Sequence, residues 1–118
     1  MHEVDRTRRV AELIKREMAV IIPRELNDDR INSVTVTAVT ISRDLKQATI
    51  YISTVDASTD PGTVEKLINR SSGYLRRILS KQLNMRTTPA LVFKYDESID
   101  RGVRMTQLID RLNTDNGS

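Results

Sequence analysis

The sequence predicts a small α+β domain in which helices stack on one face of a three-stranded sheet. Three observations carry this prediction. Residues 4–22 repeat apolar side chains at helical spacing. Residues 33–41 and 47–55 are rich in β-branched side chains and are joined by a short polar connection. A second helical pattern, interrupted at Ser71-Ser72-Gly73, is followed by one short β-rich run at residues 90–95. The resulting order is α-β-β-α-α-β, and apolar spacing near the end of the chain adds a last helix.

The first helix is expected from Val4 or Asp5 to Ile22, with an extension to Leu26 left open. Val10, Leu13, Ile14, Met18 and Ile21 form its apolar stripe, opposite Arg8, Glu12, Lys15 and Arg16. Pro23 should end or kink it, because proline has no N–H and its ring clashes with the preceding turn. Asn27-Asp28-Asp29 reads as a turn. In the first strand Val34 and Val36 fall on one face and Val39 and Ile41 on the other. A bulge near Thr37-Ala38 would reconcile them. Arg43-Asp44-Leu45-Lys46 is the connection, and the second strand alternates Ala48, Ile50 and Ile52 against Thr49, Tyr51 and Ser53. The two strands therefore read as an antiparallel hairpin. Thr59 or Asp60 caps the next helix, with Pro61 near its first turn. That helix runs to Ser72, and another runs from Gly73 to about Asn84. Pro89 precedes the third strand, and the last helix spans 98–112 with Val103, Leu108, Ile109 and Leu112 apolar. Residues 1–113 make one domain and 114–118 a disordered tail.

Composition narrows the chemistry. The chain has 19 Lys and Arg against 16 Asp and Glu, a net charge of +3, which fits a polyanionic partner without requiring one. There is no cysteine, which excludes disulfides and thiolate metal sites and suits a reducing cytoplasm. No signal peptide is expected, since the first residues lead directly into a charged amphipathic segment. The longest apolar run, residues 18–22, is far too short to span a bilayer. Tyr51, Tyr74, Phe93 and Tyr95 are the aromatics, few for stacking splayed bases. The glycines at 62, 73, 102 and 117 are too scattered for a phosphate loop, and the lone His2 leaves little for base catalysis. A nuclease reading would place hydrated Mg²⁺ at Asp96, Glu97 and Asp100. Capping of the last helix accounts for Asp96 and Glu97 better. No cofactor or metal is expected.

Positive charge is unevenly placed. Between Arg70 and Arg86 stand Arg70, Arg76, Arg77, Lys81 and Arg86, with no acid. Leu75, Ile78 and Leu79 take the core face of their helix, which leaves Arg76, Arg77 and Lys81 on or beside the solvent face. Two readings stand: a solvated face that aids solubility, or contacts to a phosphate chain. The absence of balancing acids favours the second. Gly73 also has two readings. It caps a helix or lets two helices pack closely, or it belongs to a contact surface. Arg43 and Asp44 sit at the hairpin tip, where ordinary turn chemistry accounts for the Asp. Arg101, Arg104 and Arg111 either extend the positive surface or pair within their helix with Asp100 and Asp110.

The element order, with a helix-kink-helix before the last strand, resembles a type II KH domain. Within that class the chain resembles bacterial ribosome-binding factor A over nearly its whole length. The resemblance rests on Ser42-Arg43-Asp44-Leu45, the strand Ala48-Thr49-Ile50-Tyr51-Ile52-Ser53, the kink with Gly73 followed by Leu75-Arg76, the later Arg86, Pro89-Ala90-Leu91-Val92-Phe93, Tyr95-Asp96-Glu97-Ser98 and Arg104-Met105. The second Gly of a Gly-x-x-Gly loop is missing, and Ser71 stands where the family's Ala-x-Gly kink has Ala. Asp28-Asp29-Arg30 replaces a frequent Asp-Pro-Arg.

The resemblance implies a non-catalytic, monomeric cytoplasmic factor linked to growth in the cold. It would bind free, immature small ribosomal subunits and assist maturation of their rRNA. It further implies that Ser71, Ser72 and Gly73 belong to a contact surface for rRNA and gives Arg43 a role at the ribosomal surface, while the unbalanced charge adds Arg70, Arg76, Arg77, Lys81 and Arg86 as phosphate contacts. An alternative is a protein-interaction module docking on ribosomal proteins.

Overall fold

The computed structural model describes residues 2–31, 33–55 and 59–97, with the side chains of the first helix described from Arg6 onward. The order is α1 (His2–Glu25), β1 (Val34–Ile41), β2 (Gln47–Thr54), α2 (Pro61–Arg70), α3 (Ser72–Leu83) and β3 (Ala90–Tyr95). The expected helix over 98–112 and the expected tail lie outside the described residues. The sheet order is β1-β2-β3, with β1 antiparallel to β2 and β3 parallel to β2. This is the α+β arrangement expected from the sequence.

All three helices cover one face of the sheet. α1 lies against β1 and α3, while α2 and α3 lie against β3. The core between the layers contains Ile14, Met18 and Ile21 of α1, Ala48, Ile50 and Ile52 of β2, Val64 and Ile68 of α2, Leu75 and Leu79 of α3, and Phe93 of β3, each fully buried. Burying a side chain such as Phe93 stabilises the fold by about 1.5–3 kcal/mol.

The bulge expected in β1 is present: the register shifts between Val36 and Ala38. Val36 pairs with Ile52 and, beyond the bulge, Val39 pairs with Ile50 and Ile41 with Ala48. One inserted residue thus returns Val34, Val36, Val39 and Ile41 to the helix side, where all four join the core or pack against it. The inserted Thr37 uses its hydroxyl in the ladder, lying 2.6 Å from Asp96 Oδ2 and 3.3 Å from the Tyr51 carbonyl.

Two expectations for the helices need correction, and α1 takes the longer extent left open, running through Pro23 to Glu25. The carbonyl deprived of a donor belongs to Ala19, and Ala19 and Pro23 are both exposed, so water can serve it. Leu13 leaves the apolar stripe and is 39% exposed, whereas Ile22 is buried. The interruption between α2 and α3 falls one residue earlier than expected, at Ser71, with φ −96° and ψ 7°. The other boundaries follow their local signals. The Asp60 carboxylate accepts from Thr63 N–H at 3.2 Å to cap α2, with Pro61 beginning the helix. Asn84, in the left-handed conformation at φ 51°, ends α3.

Among the described residues, no helix is long and apolar enough to cross a membrane.

Candidate nucleic-acid interface

The kink is built from two short helices sharing one residue. Ser71 N–H donates to the Ile68 carbonyl at 2.9 Å and closes α2, while the Ser71 carbonyl accepts from Leu75 N–H at 2.9 Å and opens α3. Its side chain makes no capping hydrogen bond, so the first N–H groups of α3 have no side-chain acceptor there. Ser71 and Ser72 are half-buried and Gly73 is exposed.

Neither structural reason expected for Gly73 holds. Among the described residues no glycine has a positive φ, so no left-handed turn requires it. Among the described residues, a Cβ added at Gly73 would meet nothing within 4 Å, so no described helix packs against it. Glycine in a helix is disfavoured relative to Ala by about 1 kcal/mol. That cost is met by no contact among the described residues.

On α3, Gly73, Arg77 and Ser80 follow one another at helical spacing, with Arg76 beside them. Arg76 is not a free arm. Its Nε and Nη2 donate to the Thr88 carbonyl at 3.0 and 2.6 Å. The guanidinium is thereby fixed across the segment leading into β3, and its remaining N–H groups are still available. Arg77, Ser80, Arg86, Thr87 and Thr88 join Arg76 around an open recess of about 310 Å³. Among the described residues, none of these arginines forms an ion pair with a carboxylate; the ion pairs found are Arg24–Glu25 and Arg30–Asp28. Positive charge therefore stays concentrated at this end of the molecule.

Arg43 joins the same end through the sheet. Ala90 N–H donates to the Lys46 carbonyl at 2.8 Å, which sets the β1–β2 turn beside the segment containing Arg86 and Thr88. The turn is tightly made. Ser42 Oγ donates to Asp44 Oδ1 at 2.7 Å, Lys46 N–H donates to the same oxygen at 3.1 Å, and Leu45 adopts φ 60°. The Ser42 hydroxyl first, and then the Lys46 N–H, hold the Asp44 carboxyl below its ordinary range. Asp44 thus does the turn work expected of it, and Arg43 projects exposed from the turn. Lys46 was not singled out in the sequence; its place here follows from strand pairing between distant segments.

Arg70 is exposed in the last turn of α2 and Lys81 is exposed one turn beyond Arg77. Arg101, Arg104 and Arg111 lie outside the described residues. A further candidate missed in the sequence is Tyr74, 44% exposed beside Gly73. Its hydroxyl donates to Glu25 Oε1 at 3.1 Å, and that bond is the first cause of a raised phenol pKa, followed by the Glu25 charge. The ring is therefore held at the kink with its body in solvent. In the sequence Tyr74 counts only as one of four aromatics, too few for base stacking, which is why nothing there marks it as a site residue.

Of the three acids offered for a metal, Asp96 lies beside the Thr37 hydroxyl and Asp100 lies outside the described residues; among the described residues no group of three or more His, Cys, Asp or Glu is placed to hold a metal ion.

The two-layer α-β-β-α-α-β topology, with one antiparallel and one parallel pairing and a kinked helix pair before the last strand, defines a type II KH-like domain. Comparison with known proteins carries this to a family. The family model described as ribosome-binding factor A matches residues 6–109. A ribosome-binding factor A from Alkalilimnicola ehrlichii is 46% identical over 107 residues, covering 89% of this chain and 82% of the relative. One from Stutzerimonas stutzeri is 40% identical over 112 residues, covering 92% and 87%. The crystal structure of ribosome-binding factor A from Thermus thermophilus superposes with a TM-score of 0.70 at 24% identity, covering 78% of this chain and 97% of that one. Coordinates of the Thermus thermophilus factor fitted into the cryo-EM map of a 30S–RbfA complex give a TM-score of 0.55 at 23% identity, covering 72% and 93%. This chain belongs to the ribosome-binding factor A family.

Proposed function

We propose that this protein binds immature small ribosomal subunits by pressing its cationic end against rRNA, and that it assists maturation of that rRNA without catalysis. The observation that carries the reading is the convergence of Arg76, Arg77 and Arg86 with no carboxylate partner among the described residues, continuous along α3 with the unfilled space at Gly73. Unpaired guanidinium groups gathered on one surface attract a polyanion, and a missing Cβ lets a partner's backbone come close. The family's name and the Thermus thermophilus factor's placement in a 30S complex support the same partner.

The mechanism needs no bond to form or break. A rigid body that holds one conformer of a flexible RNA segment more tightly than another shifts the population toward it. Arg76 is pre-oriented by Thr88, so less freedom is lost on binding than for a mobile side chain. Base-edge specificity should be low, since contacts to phosphates position without reading sequence. The protein would act in the cytoplasm, where bacterial subunits assemble, as a monomer.

The test is a triple substitution that spares the structural arginine: Arg77→Glu, Lys81→Glu and Arg86→Glu. Sedimentation with free small subunits should fall sharply while thermal unfolding stays normal. For wild type, engagement of about five phosphates gives a log affinity against log salt slope near −4. Unchanged affinity in a normally folded triple variant would refute the assignment. Survival of the complex after nuclease treatment would instead identify ribosomal proteins as the partner.

A further inference from the structure

We infer that the recess between α3 and the segment before β3 is a seat for a single phosphate group, and that it binds phosphate in its own right. The inference rests on the rRNA reading and makes it specific: one backbone phosphate is held in a preformed site, and the other cations attract diffusely.

Three features set this recess apart from the rest of the basic surface. Its six lining residues are all Arg, Ser or Thr: Arg76, Arg77, Ser80, Arg86, Thr87 and Thr88. No acid and no large apolar side chain contributes, so the lining is cationic and hydroxyl-rich throughout and suits an oxyanion. Secondly, one arm is already locked. Arg76 gives two N–H groups to Thr88 and keeps three of its five, with the planar fork fixed in place. Thirdly, a hydroxyl without a partner lies behind the wall. Thr88 is 6% exposed, and its buried Oγ1 has no hydrogen-bond partner. A buried polar group left unsatisfied is unfavourable, and an ion drawn to its side of the recess is one way to relieve it. Pro89, fully buried, pins the segment that carries Thr88.

The second pocket of similar size shows the contrast. It lies between α1 and β1, mixes Arg8 with Glu12 and is floored by Ala11, Val39 and Ile41. Its charges cancel and it offers no comparable set of donors.

The experiment titrates the full chain with inorganic phosphate, using chloride at matched ionic strength as control, and follows the arginine Nε–Hε signals by NMR. Phosphate should move Arg76, Arg77 and Arg86 together and saturably in the millimolar range, with chloride leaving them unmoved. Arg86→Gln should weaken phosphate by roughly tenfold, the effect expected for loss of a charged hydrogen bond. Thr88→Val, which keeps the carbonyl that holds Arg76, should weaken it several-fold with an unfolding temperature unchanged or raised. Equal shifts from phosphate and chloride, or wild-type phosphate affinity in Thr88→Val, overturn the seat. Absent phosphate binding alongside salt-dependent binding to small subunits discards the seat and leaves the wider interface standing. Phosphate binding without subunit binding keeps the seat and discards the rRNA reading.

Discussion

The Asn69 carboxamide exchanges two hydrogen bonds with the main chain of Phe93: Nδ2 donates to the Phe93 carbonyl at 2.9 Å, and Oδ1 accepts from the Phe93 N–H at 2.9 Å. A side chain from α2 thus does what a neighbouring strand would do at the free edge of β3. Glu65 continues the arrangement one strand repeat on, accepting from Tyr95 N–H at 3.0 Å. These contacts lock α2 onto the sheet and close part of an edge on which another chain could pair.

Replacing Asn69 by Leu keeps apolar bulk but leaves the Phe93 N–H and carbonyl unmet. The expected loss is about 2–4 kcal/mol, one to three for each orphaned group discounted for partial hydration. Urea unfolding measures it. The variant should also self-associate as the edge opens, and size-exclusion chromatography at rising concentration reads that effect.

Gly73→Ala should separate binding from stability. The added methyl group meets nothing within 4 Å, and Ala is the better helix former by about 1 kcal/mol. The unfolding temperature should hold or rise while affinity for the small subunit drops. A variant that binds normally would show that no partner approaches the kink closely.

Arg76 and Arg77 are neighbours in the sequence with different roles. Arg76→Ala removes both bonds to the Thr88 carbonyl and should destabilise the fold by about 1–2 kcal/mol. Arg77→Ala, exposed and without such a partner, should change stability by less than about 0.5 kcal/mol. Parallel urea titrations of the two variants give the comparison, and equal losses would contradict the geometry.

The hairpin turn should report on pH through Asp44. Its carboxyl is held below the ordinary range by Ser42 and Lys46 N–H. A depressed folded-state pKa means stability that is present above the unfolded pKa and lost as pH falls through the folded one. Carbonyl-carbon NMR should find the Asp44 midpoint below that of an unstructured Asp, and Asp44→Asn should remove the corresponding acid-side loss. For Tyr74 the sign reverses: its raised pKa gives a contribution present below the unfolded pKa and lost as pH rises through the folded one.

Periodicity found the elements because each signal is local. The alternation in β2 placed Ala48, Ile50 and Ile52 in the core, where all are fully buried, and the phase break in β1 located its bulge. Asp60 begins α2 through its side-chain carboxylate and Asn84 ends α3 through its left-handed backbone. The points left open or missed depended on surroundings. Pro23 is tolerated because its orphaned carbonyl faces water, and Leu13 is left outside because neighbouring Ile14 and Ile22 take the available core. Arg76, Arg77 and Lys81 are exposed on α3 as their spacing predicts, while Arg76 also carries a structural bond that no local rule announces. Thr87, Thr88 and Lys46 were passed over, since nothing in their own neighbourhood marks them.

The sequence by itself determined which segments become helix and strand, where the chain turns, and that positive charge gathers between Arg70 and Arg86 without acids. Those properties follow from steric preference, apolar spacing and composition, all readable within a few residues. Only the tertiary structure decided that the β1–β2 turn comes beside the segment before β3, that Arg76 is clamped while Arg77 is free, and that Gly73 borders open space. The first two depend on the parallel pairing of β2 with β3, a contact between segments some forty residues apart, and long-range pairing is set by how whole layers pack.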